Sequence, residues 1–361
     1  MTKEPIPAAY SRMAMVLVGL IAFFFILYIT KEIVVPLVFA LLVAIVLNPL
    51  VKFMSRHKVP RVLAIALSLL LAIVFLGGLV AFLIAQASMF KGTMPLMQTK
   101  LAALLQEAHA WMTQRVGSDP LRFDAWLTKS EDVDMRKGIE AATRLSNTVI
   151  QFVLVPVYAF LILLYKNLLL AFLKKMFDRQ QHDDLNAVLV ETKAIVQNYL
   201  MGLLIQIVIV SVLNTAALLA IGVPYAVLLG TVGGLLTVIP YLGGIVGAAL
   251  MLVVTLVTGS TTDVLLVAGA NLVIQFLNNH FIVPRFVASR VKLNALVSIV
   301  IVVAAGAFWG VPGMFLSIPI TGIVKAVCDR VERLQPWGLL LGDVVPEEDA
   351  PVKKRPIKRV A

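Results

Sequence analysis

Between Leu200 and Val327 the sequence is almost wholly apolar, and glycine and proline interrupt it twice. The first break is Ile239-Pro240-Tyr241-Leu242-Gly243-Gly244, and the second is Trp309-Gly310-Val311-Pro312-Gly313. Each divides a stretch too long for one membrane span of about 20 residues. The resulting pieces are short for separate spans. Unwound backbone survives in hydrocarbon only where protein or a water-filled cavity satisfies its N–H and C=O groups. Paired broken segments therefore point to a transport site near the bilayer midplane.

The composition fits that reading. Of 361 residues, 60% are hydrophobic and 14% charged, against roughly 45–50% and about 25% in soluble domains. The fold class expected is an all-α polytopic membrane protein. It has about eight hydrophobic segments, two of them Gly/Pro-broken and hairpin-like, plus a small helical extracytoplasmic insert. The one cysteine, Cys328, excludes a disulfide within the chain and a Cys-rich metal site. His57, His109, His182 and His280 lie far apart, and no His-Glu-x-x-His pattern occurs. No metal and no cofactor is expected. The net charge of +11 sits at span ends and in the tail, the positive-inside pattern, rather than in a nucleic-acid-binding patch. The partners expected are the lipid bilayer and a small-molecule or ion substrate.

Six regions follow from the order of apolar and polar runs. Residues 1–86 hold a polar tail and spans at 13–29, 33–51 and 62–85. The first span is followed by Lys31-Glu32 rather than a small-residue cleavage site, so no cleavable signal peptide is expected. Lys52, Arg56, Lys58 and Arg61 fill the turn after the second span without an acid, which puts that turn and both termini in the cytoplasm. Residues 87–145 form the insert, with helical spacing from Met97 to Met112 and a short helix capped at Asp119-Pro120. Residues 146–166 hold the fourth span, with Pro156 expected to kink it. Residues 167–199 are cytoplasmic, and Leu185, Val188, Leu189, Thr192, Ile195, Val196 and Tyr199 share one face. That spacing predicts an amphipathic helix lying along the membrane and leading into the fifth span. Residues 200–330 are the transport core, and 331–361 a cytoplasmic tail that is disordered and basic at its end. Arg285, Arg290 and Lys292 favour hairpins over single crossings for the two broken stretches, since that topology leaves their connection cytoplasmic. Gly222-Val223-Pro224 recurs as Gly310-Val311-Pro312, and Val238-Ile239-Pro240 resembles Ser317-Ile318-Pro319.

Three groups of residues can carry function. Pro240, Tyr241, Gly243 and Gly244 in the first break, and Gly310, Pro312 and Gly313 in the second, can free carbonyls and expose half-helix ends as substrate-binding groups. Their alternative role is tight helix packing, and Gly310–Gly313 can also be a plain turn. Asn271, Gln275 and Asn278 follow i, i+4, i+7 on an apolar span, with Asn279 flanking. They can line a substrate path or serve as interhelical glue. Gln206, Ser211 and Asn214 form a sparser set in which the glue role is favoured. Asp263 and His280 are the ionisable candidates for proton or ion coupling, against a bland role as boundary residues that reach water. Enzymatic chemistry has no support. No buried Ser–His pair, Asp pair or His cluster falls in an apolar span, and His182-Asp183-Asp184 reads as a helix start.

The ordered set of motifs resembles the autoinducer-2 exporter (PerM-type permease) family. The elements that carry the resemblance are Tyr199-Leu200-Met201-Gly202, Ile239-Pro240-Tyr241-Leu242-Gly243, Asn279 with Pro284, Phe308-Trp309-Gly310-Val311-Pro312-Gly313 and Ser317-Ile318-Pro319. It covers residues 10–335. Two positions depart from it: Gly244 stands where the family often has proline, and Asn294-Ala295 where His-Pro is common. The resemblance implies a transporter, exporting a small organic solute or quorum-sensing signal across the bacterial inner membrane. A sodium(lithium)/proton antiporter is the alternative the same family offers. It also implies a homo-oligomer, such as a pentameric ring. A non-transporting scaffold is the alternative from a different class. With no Walker motif, an ion gradient or facilitation would drive transport.

Overall fold

The structure is a computed structural model that describes residues 8–90, 99–100, 103, 106, 153–287 and 293–343. Residues 1–7 of the expected N-terminal tail, nearly all of the 87–145 insert, Arg290, Lys292 and the basic C-terminal run lie outside the described residues, and the rest of that tail is the first turn of a helix. Among the described residues every regular element is a helix, apart from one isolated bridge between Leu293 and Gly342. Five helices among the described residues are long and apolar enough, by length and composition, to cross a membrane. The all-α polytopic class holds.

The N-terminal part comprises α1 (Ala8–Ile29), α2 (Lys31–Arg56) and α3 (Arg61–Phe90). Alanines let α2, α3 and the fourth span approach closely, with Ala40, Ala44, Ala64, Ile65 and Ala159 buried in one cluster. That fourth span, α4 (Val153–Leu164), bends by 66° into α5 (Lys166–Met176). The bend is at Tyr165, where apolar sequence meets Lys166; Pro156 lies within α4. A short 3₁₀ turn, Arg179–Gln181, then leads to α6 (His182–Ile221).

Helix α6 has 40 residues and is about 60 Å long at 1.5 Å per residue. The amphipathic segment expected over 184–199 is its first half, not a separate surface helix. Its apolar stripe has protein to pack on: Val196 meets Leu42 and Leu316, and Ile195 and Tyr199 meet Ala326. Gly222 ends α6 in the left-handed conformation (φ 87°), and the Val223 N–H returns to the Leu218 carbonyl at 2.9 Å.

Both broken stretches are hairpins. Helices α7 (Ala226–Leu236) and α8 (Leu242–Thr258) run antiparallel. Gly243 lies against the Leu236 carbonyl, and a Cβ on Gly247 would be 3.3 Å from the Gly233 Cα. The second hairpin is α10 (Ala295–Arg330), folded back at Gly310, whose φ of 68° and ψ of −148° suit glycine almost alone. Beyond the turn, Gly313 packs on the Ala305 carbonyl. Between the hairpins, α9 (Thr261–Leu277) continues as a π-helix, Asn278–Val287. The short α11 (Gln335–Leu341) closes the described chain.

The hairpins open from opposite ends of α6. The first has its base beside Leu218 and Val223, and its tip reaches back toward Ile207. The second has its base beside Glu191, which accepts from Arg330 at 3.1 Å. Asn294 ties the feet of the second hairpin together. Its Oδ1 caps α10 through the Val297 N–H at 2.8 Å, and its Nδ2 donates to the Leu340 and Gly342 carbonyls at 2.7 and 3.1 Å. The sequence echo is thus partly conformational. Gly222 and Gly310 both turn the chain at positive φ, but Pro240 sits in a turn and Pro319 inside a helix.

Candidate functional site

Helices α6, α7, α8 and α9 bring side-chain amides into one apolar interior. On α6, Gln206 and Asn214 are buried; on α9 and its π-helical continuation, Asn271 and Asn278 are buried. The two helices run antiparallel, so Gln206 meets Asn278, its Nε2 donating to Oδ1 at 3.2 Å. Further along, Val210 packs on Ile274 and Leu218 on Val267. Gln275, half-buried between Asn271 and Asn278, faces Gly244: a Cβ there would stand 2.7 Å from Gln275 Oε1.

Glycines on α7 let the remaining amides converge. Gly230 packs on Thr215 and Gly234 on Ser211, which seats α7 tightly against α6. Gly233 then faces both Asn214 and the Met251 methyl. The Met251 sulfur lies 3.9 Å from Asn271 Nδ2. One flexible thioether therefore reaches the surroundings of Asn214 and of Asn271. The Asn214 Oδ1 is buried and has no hydrogen-bond partner. An unsatisfied buried acceptor costs about 1–3 kcal/mol, so its retention calls for a reason.

The tip of the first hairpin is strained. Tyr241 has φ 63° and ψ −43°, and the Leu242 N–H donates to the Pro240 carbonyl at 2.7 Å. This is a γ-turn of the rare, positive-φ form. Such strain persists only where the surroundings enforce it, and it concentrates at functional sites. Here Gly243 is wedged against Leu236, which holds the turn closed.

The remaining candidates lie elsewhere. Asn279 is exposed at the rim, accepting from Asn278 at 3.5 Å. Asp263 caps α9 in a reciprocal pair with Ser260, at 2.7 Å to its backbone N–H and 3.2 Å in return. His280 is exposed, stacks on Phe276 and donates to its carbonyl at 3.1 Å. Gly310 and Pro312 are exposed at the tip of the second hairpin, while Gly313 is buried within it. That tip is tied to α1, with Trp309 Nε1 donating to the Leu27 carbonyl at 3.3 Å and Phe308 beside Tyr28. The structure brings Gly243, Gly244, Asn271 and Gln275 together and leaves the Gly310–Gly313 group apart. Gln206 and Asn214, for which the glue role was favoured, share this interior, as do Gly233, Gly234 and Met251, which were not among the candidates. The available signal was the glycine run just ahead of the first break.

Two opposed hairpins along one long helix, the first closing over a buried amide set, within a multi-pass helical bundle fit the architecture of a membrane transporter. Residues 17–333 match the AI-2E family transporter family, and the chain belongs to it. It is 28% identical over 315 residues to the AI-2 transport protein TqsA of Escherichia coli (strain K12), covering 87% of this chain and 90% of that one. It is 24% identical over 316 residues to the putative transport protein YrrI of Bacillus subtilis (strain 168), covering 84% and 88%. The putative permease PerM of Escherichia coli (strain K12) is 27% identical over 324 residues, covering 86% and 91%. The family resemblance read from the motifs holds, as does the transporter class.

Proposed function

We propose that this transporter exports a small, uncharged, hydroxyl-rich organic solute of the autoinducer-2 kind, and that the amides between α6 and α9 line its path. The observation that carries this is the character of the buried polar set. Among the described residues the buried polar side chains are amides and hydroxyls, with no Asp, Glu, Lys, Arg or His. Amides offer both donors and acceptors, which suits a polyol. Ion coupling at membrane depth draws on ionisable groups, but Asp263 is tied up in the helix cap with Ser260 and His280 is exposed, so the antiporter reading is less well supported. The similarity to the AI-2 transport protein of Escherichia coli supports the cargo class. In this reading Pro240 and Tyr241 form the moving tip, and Asn214, Gln206, Asn271 and Asn278 contact the solute. The Gly310–Gly313 tip, with Pro312, gates from the opposite side.

The positive-inside bias supports an inner-membrane placement with both termini and the Arg56–Arg61 turn in the cytoplasm. A homo-oligomer belongs to the same proposal and rests on the family resemblance alone. The test is export of autoinducer-2 from a strain deleted for its own exporter and carrying this chain. Asn214→Ala and the Gln206→Ala, Asn278→Ala pair are expected to lower export about tenfold, the equivalent of about 1.4 kcal/mol. Unchanged export by well-expressed variants would remove these residues from the path. Sodium-dependent dye dequenching in inverted vesicles would replace the solute reading with antiport.

A further inference from the structure

At the basic end of the bundle a cavity of about 430 Å³ opens between α2, α3 and the α4–α5 bend. Lys52, Arg56, Arg61 and Lys166 line it together with Asn48 and Ser55, and no acidic residue does. Two of the cations are positioned by neutral groups. Arg61 Nη2 donates to the Leu163 carbonyl at 2.8 Å, and Lys166 Nζ donates to Asn48 Oδ1 at 3.0 Å. Neither bond cancels a charge. The ion pairs Lys325–Asp329 and Arg330–Glu191 lie on α6 and α10 and take no part.

The cavity is under positive strain. Lys166, outside the apolar span and half-buried, has its pKa held below the ordinary lysine value. Burial is the first cause, followed by the charges of Lys52, Lys193 and Arg61. Arg61 and Lys166 are also the first residues of α3 and α5, so the positive ends of two helix dipoles lie beside the cavity. Such a field is relieved by an anion. An arginine fork with lysine point charges matches phosphate oxygens.

The structure assigns this cavity as a binding site for a phosphate group, carried by an anionic phospholipid headgroup or by a free phosphate. The neighbouring helix favours the lipid source. On α5, Leu168, Leu169, Phe172 and Met176 are all exposed, with Lys174 and Lys175 in its last turn. An apolar surface with flanking lysines, bent away from the span, fits a helix lying in the membrane interface. Basic pockets between spans at a cytoplasmic surface bind anionic headgroups.

The experiment measures binding, so its outcome is separate from that of any transport assay. The full chain in neutral detergent is titrated with phosphatidylglycerol, with phosphatidylcholine and, at constant ionic strength, with inorganic phosphate, and Tm is followed. Phosphatidylglycerol is expected to raise Tm where phosphatidylcholine does not. The Lys52→Gln, Arg56→Gln pair and Lys166→Gln should each weaken that response about tenfold. Lys31→Gln, Arg333→Gln removes the same charge at exposed positions outside the cavity and off α5 and should keep it. The exposed Lys52 and Arg56 pair carries the test if Lys166→Gln fails to fold. An equal, saturable response to inorganic phosphate, lost in the same variants, assigns the free source. No selective response in the wild type, or equal loss in the Lys31, Arg333 control, overturns the proposal.

Discussion

Asn214 and Gly233 face each other across the α6–α7 contact, with the Asn214 amide nitrogen 3.2 Å from where a Cβ on residue 233 would stand. The same Cβ would meet the Met251 methyl. Met251 is flexible and can withdraw, but Asn214 is held on a continuous helix. Gly233→Ala is therefore expected to cost about 1–3 kcal/mol through overpacking and to lower transport more than stability alone explains. Tm in detergent and export rate, measured on the same preparations, check this. Gly269→Ala is the control, because a Cβ there meets nothing within 4 Å.

The Tyr241 turn separates stability from activity. Its positive φ is costly for tyrosine, about 1–3 kcal/mol, and glycine removes that cost while adding about 0.5–1 kcal/mol of unfolded-chain entropy. Tyr241→Gly should raise or preserve Tm. If the strained tip is what moves during transport, export falls in the same variant. A variant with higher Tm and full export would mean that the strain has no part in the cycle.

Much of this architecture was legible because it is written locally. Pro240, Gly243 and Gly310 break helices through their own backbone chemistry, so both hairpins could be read from a few adjacent residues. The amide core could not. Gln206 and Asn278 are 72 positions apart, and nothing within either segment says which amide on α6 meets which on α9. The length of α6 was hidden for a related reason. Glu191 and Lys193 give its first half the look of a surface helix, while Leu316 and Ala326, which cover Val196 and Tyr199, come more than a hundred residues later. The bend at Tyr165 had no local signal, because neither proline nor glycine, the commoner causes of a kink, lies beside it.

Asn294 joins three parts of the C-terminal region, and its loss should be felt in two of them. Asn294→Ala removes the α10 cap, worth about 1 kcal/mol, and the bonds to the Leu340 and Gly342 carbonyls. Hydrogen exchange is the direct measurement. Amides in 335–342 and in the first turn of α10 are expected to lose protection, while those around Asn214 keep theirs. Loss of protection throughout the bundle would instead make Asn294 a determinant of the whole fold.

The second hairpin depends on one glycine more than on its proline. Gly310 holds a conformation that side chains do not tolerate, whereas Pro312 is exposed just beyond the turn. Gly310→Ala should cost about 1–3 kcal/mol, and Pro312→Ala no more than about 0.5 kcal/mol. The consequence reaches α1, since the turn positions Trp309 to donate to the Leu27 carbonyl. Trp309→Phe keeps most of the ring contact and removes only that bond, a loss of about 0.5–1.5 kcal/mol. A thermodynamic cycle of Gly310→Ala with Trp309→Phe, read by Tm, decides whether the turn acts through this link. Coupled losses mean that a shifted turn has already released Trp309; additive losses mean that the tip keeps its hold on α1 when the turn is disturbed.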